Sequence, residues 1–227
     1  KFIKCLQFHF GFHGILALLQ LAERQRAGNA KEEEMKQESH KLLGYYLINR
    51  VQGEYEPRHR AAFLLGCVEP DRNPFTYFKG SCRAQWMRGH NFLNAQRLVK
   101  RLCRGLENRE NWRMLDYYCL GKLIHYTADA FTFAHNAMFQ EDIRQHLIYE
   151  GRLQEHFKQC LQQGRDLFRC GEMAAYDMIL EQHRRYENAE RTVEIDAEYI
   201  LGVTELLCRL LLPCPQTAAV RTLPLAA

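Results

Sequence analysis

From Trp112 to Phe133 the chain is an almost uninterrupted apolar segment of helical period, and inside it stand His125 and Asp129. A helix this apolar is buried in a core rather than laid on a surface. Side chains four residues apart leave one helix face about one turn from each other. Burying an imidazole and a carboxylate there costs free energy unless each meets a partner. Either they are core polar residues satisfied by hydrogen bonds, or they are part of a metal site. The same spacing recurs in the next predicted helix as His146 and Glu150, and His135 lies between the two pairs.

The rest of the chain has the same helical character. Period-two alternation and β-branched runs are absent, so the fold class is all-α, a single-domain bundle of about seven helices. The helices are expected at residues 39–51, with Ser39 as N-cap, then at 59–68, 85–106, 112–133, 139–161, 172–188 and 192–212. The stretch 70–80, with two prolines and a closing glycine, reads as a loop. The domain is expected to span residues 35–213, with 1–34 as an N-terminal extension and 214–227 as a loose tail. Met35 offers an alternative start, because the KEEE before it would be encoded by purine-rich codons like those of a ribosome-binding site.

On a straight helix His135 lies about 15 Å beyond His125 and roughly 80° off its face. The two are therefore expected to serve different ions, with His135 joining His146 and Glu150. Two histidines and a carboxylate form a usual catalytic zinc set with a position left for water. Two such sets side by side suit in-line displacement at phosphorus, or hydrolysis by metal-bound water. The ion at His125 and Asp129 needs further ligands. Candidates are His90 near the start of its helix and Asp71 in the 70–80 loop.

In order, the chain carries His40, Asp71 after Pro70, His90, then His125, Asp129 and His135, then His146 and Glu150. This pattern resembles the bacterial zinc-dependent phospholipase C family, which is all-helical, and is similar in ligand order to fungal single-strand-specific nucleases. The resemblance covers about residues 39–155. It implies one zinc held by Asp71, His90, His125 and Asp129, and a second held by His135, His146 and Glu150. A third would sit at His40, bridged to the first through Asp129. Asp71 would also orient or deprotonate the attacking water. Secreted members complete the third site with an N-terminal tryptophan. This chain departs there, its tryptophans being Trp86 and Trp112. Tyr126, Phe131 and Phe133 flank the ligands and are candidates for lining a substrate pocket.

The implied activity is phospholipase C-type hydrolysis of a phospholipid to diacylglycerol and a phosphorylated headgroup by metal-activated water. A single-strand nuclease or 3′-nucleotidase on the same site, and a non-catalytic zinc-stabilised helical module, stay open as alternatives. The cofactor would be Zn2+, as two ions with a third at His40. The formal charge of +4 permits an anionic substrate without demanding one, since the cations are dispersed. Peripheral membrane contact is compatible with such a substrate; no stretch is apolar enough to span a bilayer, and no protein partner is implied. The nine cysteines have no CxxC spacing, and several occupy apolar helix positions. With a poor signal-like N-terminus, that favours a reducing, cytoplasmic setting over secretion.

Overall fold

The computed structural model describes residues 38–50, 55–82, 84, 88–107, 109–136, 143–163 and 173–212. The N-terminal extension, the Met35 start and the C-terminal tail expected from the sequence lie outside the described residues. Seven α-helices and no strand occur among those described: α1 (38–50), α2 (Pro57–Arg72), α3 (Phe92–Glu107), α4 (Met114–Ala130), α5 (Ile143–Gln163), α6 (Ala175–Glu187) and α7 (Val193–Leu211). Short 3-10 turns cover Pro74–Phe78 and Phe133–His135. Among the described residues, no helix is long and apolar enough to cross a membrane.

Helix α4 is the axis of the bundle and packs against α2, α3 and α7. Its residues Leu120, Leu123, Ile124 and His125 are completely buried, as its apolar composition requires. Helix α7 is buried on nearly every side and packs on α4, α5 and α6. Helix α1 is tied to α7 at its far end, where Arg50 Nε donates to Glu205 Oε1 at 2.7 Å.

The closest approach is between α2 and α4, and two glycines permit it. A Cβ on Gly66 would lie 2.2 Å from the Tyr118 carbonyl oxygen, and one on Gly121 would lie 2.1 Å from that of Phe63. No side chain fits there, so the backbones meet directly. That approach carries the end of α2 onto the His125 face of α4.

Several boundaries depart from the sequence expectation; α3, expected from residue 85, begins at Phe92. Ser39 is already helical, so it is not the N-cap of α1. Helix α2 runs through Pro70 to Arg72. A proline in the last turn forfeits only its own N–H bond, and Asn73 closes the helix by donating its N–H to the Glu69 carbonyl at 3.0 Å. Asp71 is thus helical rather than in a loop. Helix α4 stops at Ala130 instead of continuing to Phe133. Thr132 Oγ1 donates to the Ala128 carbonyl at 3.0 Å, and Asn136 Nδ2 to those of Ala130 and Thr132 at 3.2 and 2.8 Å. These side chains satisfy carbonyls that further helix would have used.

Gly121→Ala is expected to force α2 and α4 apart, at a cost of about 3 kcal/mol or more, or roughly 6–12 °C in Tm. Gly105→Ala, on α3 with nothing within 4 Å of its added Cβ, should instead hold or raise Tm. Thermal unfolding of the two variants checks the pair.

Candidate metal centre

Asp71 enters the centre from the last turn of α2, and His125 and Asp129 from α4. His90 comes from the turn that precedes α3, not from a helix. Its loop is drawn in because Gly89 leaves no Cβ to meet the Thr76 carbonyl oxygen, which would lie 1.9 Å away. Asp71, His90, His125 and Asp129 are all buried, His125 completely.

Outer hydrogen bonds aim the two imidazoles. His125 Nδ1 lies 2.9 Å from the Cys67 carbonyl oxygen and donates to it, which turns Nε2 inward. Thr76 Oγ1 lies 2.6 Å from the Pro70 carbonyl oxygen and 2.7 Å from that of Asn73, so its single proton goes to a carbonyl. Towards His90 Nε2, 3.0 Å away, Thr76 can then only accept. His90 therefore carries its proton on Nε2 and presents the Nδ1 lone pair to the acids.

Four inward atoms form a cage. His90 Nδ1 is 3.0 Å from Asp129 Oδ2 and 3.6 Å from Asp71 Oδ1. His125 Nε2 is 3.2 Å from Asp129 Oδ2, 3.6 Å from Asp71 Oδ1 and 3.2 Å from His90 Nδ1. A tetrahedral ion with bonds of about 2.0–2.1 Å separates its donors by about 3.3–3.4 Å. The observed separations bracket that value. Lone pairs facing each other at such distances repel unless a cation or a proton lies between them, so the donor set fits zinc.

Asp129 uses its second oxygen on the other side. His40 Nε2 is 3.2 Å from Asp129 Oδ1, and His135 Nδ1 is 3.9 Å from the same atom. His135 Nε2 continues to Glu150 Oε1 at 3.2 Å. The straight-helix separation of His125 and His135 does not hold. The chain breaks after Ala130, and the 3-10 turn swings His135 back towards Asp129. His146 lies on α5, but its side chain is outside the described ones. His40, Asp129, His135 and Glu150 border a cavity of about 60 Å³ whose other walls include Leu43, Ala128, Leu153, Phe157 and Ile200.

A family model described as Zinc dependent phospholipase C matches residues 39–197. The chain belongs to this family. Searches of curated proteins and of solved structures gave no match. For a zinc-dependent phospholipase C family member, two groups of donors in the described residues are close enough to share an ion: His40, Asp71 and His125, and His90, His125 and Asp129. The family is one of zinc hydrolases, and the chain presents nitrogen and carboxylate donors that suit that metal.

Electrostatics in the centre without metal are those of an imidazolium caught between acids. Burial alone would lower the His125 pKa, but the Asp129 and Asp71 carboxylates and the Cys67 carbonyl outweigh it and raise it to about 9. Burial opposes the ionised form of Asp129, yet His125, His135 and His40 hold its carboxyl well below the usual range. For His90 burial prevails over the acids and lowers its pKa.

The pocket expectation is corrected. Tyr126 is fully buried, and its hydroxyl accepts from Lys79 Nζ at 2.6 Å. Phe131 packs on Tyr186, Tyr199 and His183, and Phe133 on Tyr149 and Arg191. None of the three is among the residues lining the cavity; Tyr126 lies within α4, and Phe131 and Phe133 follow the break after Ala130. The sequence reading also missed Asp196, which is completely buried on α7. It accepts from the Phe133 N–H at 2.7 Å, the Tyr149 hydroxyl at 2.9 Å and the Tyr186 hydroxyl at 2.6 Å. One carboxylate thus ties the turn that carries His135 to the helix that carries Glu150.

Zinc must displace the His125 proton. Loading at pH 7 is expected to release about one proton per chain, with affinity climbing towards pH 9; calorimetry in buffers of different ionisation enthalpy measures it. The raised His125 pKa stabilises the metal-free fold fully below pH 6.5, and that contribution fades as pH rises through about 9. Asp129→Asn should lose more zinc than any other single ligand change, since both sides of the centre use this residue; elemental analysis reads it. Asp196→Ala leaves three donors without their acceptor and should cost about 3 kcal/mol or more. It should also weaken metal at His135 and Glu150 before the cage, which zinc titration followed at both sites can separate.

Proposed function

We propose that this centre hydrolyses the phosphodiester of a phospholipid on the diacylglycerol side, releasing a phosphorylated headgroup. The observation that carries this reading is a single cavity with ligand-type polar residues on one side and Leu43, Ala128, Leu153, Phe157 and Ile200 on the other. A lipid has the same division, a charged phosphodiester joined to apolar chains. A nucleotide would call for stacking and base hydrogen bonds, and in a wall made otherwise of aliphatic side chains Phe157 alone offers a ring.

The cage of Asp71, His90, His125 and Asp129 would hold one zinc ion. His135 and Glu150, with His146, would hold a second, and His40 at Asp129 Oδ1 would mark a third. Bound zinc supplies a coordinated water with a pKa lowered towards about 7 and positive charge for the phosphoryl oxygens. The chain's own residues do the rest. Asp71 Oδ2 is buried without a hydrogen-bond partner, 3.9 Å from His40 Nε2. It is the carboxylate oxygen best placed to take a proton from the attacking water. Asp129 and His125 hold the cage rigid, and the ring of His40 lies over that of His125 with centroids 3.9 Å apart. The apolar wall seats an acyl chain and keeps bulk water out.

Phosphatidylcholine presented in micelles should yield diacylglycerol and phosphocholine, and a chelator should abolish turnover. Cleavage of single-stranded DNA with no lipid turnover would transfer the site to the nuclease reading. Asp71→Asn keeps a donor oxygen for the cage but removes the base. It should retain much of its zinc while kcat falls by roughly 10²–10⁴. A wild-type rate in that variant refutes the role given to Asp71.

A further inference from the structure

The 3-10 turn Pro74–Phe78 directly follows the helix end that carries Asp71, and it displays two of its three aromatic side chains to solvent. Phe75 is 78% exposed and Phe78 48%. Residues three apart eclipse on a 3-10 helix, so both rings stand on one face. Next to this turn, Asn94 Nδ2 donates to the Lys79 carbonyl at 2.9 Å and fastens it to α3. There Leu93 is 54% exposed, and Arg97 and Arg101 follow it at intervals of four along one face. Lys79, Leu93, Arg97 and Arg101 line one open groove. Exposed aromatic and aliphatic side chains beside a row of cations are unusual on a surface that faces only water.

We propose that this surface docks the protein on an anionic phospholipid bilayer. Phe75, Phe78 and Leu93 would enter the interface, and Arg97 and Arg101 would meet lipid phosphates and carboxylates. Charge complementarity selects this occupant. Cations contribute attraction only near a negative surface, while apolar side chains contribute only where acyl chains receive them. A single-stranded nucleic acid could use the arginines and stack bases on Phe75 and Phe78, but it would leave Leu93 in water. The docking turn is also linked to the centre. Thr76, between the two phenylalanines' neighbours, is buried and pairs with His90 Nε2 at 3.0 Å. This inference rests on the lipid reading of the metal centre.

The test is co-flotation of the zinc-loaded full chain with phosphatidylcholine vesicles, with and without phosphatidylserine. Binding to the anionic vesicles is expected, weakening as salt rises. The double variant Arg97→Gln, Arg101→Gln should bind them about thirty-fold more weakly. Phe75→Ala, Phe78→Ala should weaken binding about tenfold or more, with the salt dependence unchanged. Both variants should hydrolyse a dissolved short-chain phospholipid at the wild-type rate, because the replaced side chains are exposed and the Thr76–His90 contact is left in place. Three results would overturn docking: a wild-type chain that ignores anionic vesicles, variants that float like wild type, or single-stranded DNA bound through the same arginines in preference to vesicles. A chain that docks yet hydrolyses no phospholipid supports the surface and overturns the substrate reading. One that cleaves dissolved lipid yet never docks does the reverse.

Discussion

Asp71 and Asp129 are buried together in the middle of a helical bundle, and burying two acidic side chains side by side costs free energy unless cationic or donor groups face them. Everything around them supplies or positions those groups. His90 and His125 point nitrogen lone pairs into the same small volume, and their outer nitrogens are occupied by Thr76 and the Cys67 carbonyl. Without metal, a proton on His125 fills the role; with zinc, the ion does.

The bundle reaches this arrangement through backbone, not side-chain volume. Gly66 and Gly121 let α2 and α4 touch, and Gly89 lets the His90 loop touch the Thr76 turn. Three separate segments can then place donors within 4 Å of one another. Asp196 plays the matching part on the far side. Its two oxygens gather donors from the Phe133 turn, α5 and α6, which fixes His135 relative to Glu150. A fully satisfied buried carboxylate specifies one arrangement because any other would strand it unpaired.

Much of this was legible beforehand. Helical period and the missing strand pattern settled the fold class, and the fixed rise and turn of a helix made His125 with Asp129 a certain pair. Other features escaped. Asp71 looked like a loop residue because Pro70 usually ends a helix, yet here the proline falls in the last turn, where its missing N–H matters little. The break after Ala130 had a signal in Thr132 and Asn136, but Phe131 and Phe133 continued the apolar run and hid it. Asp196 left no local trace, since its donors come from residues 10, 47 and 63 positions away.

The sequence alone determined the all-α class, the helix-borne pair and the order of the ligands that marks the family. Those properties depend on spacing along one chain, and spacing is local. Only the tertiary structure decided that His135 returns to Asp129, that the apolar wall comes from α1, α5 and α7 as well as α4, and that Tyr126 and Phe131 belong to the core. Those depend on where helices stop and how closely they cross, which carbonyl-capping side chains and a pair of glycines set by contacts far apart in sequence.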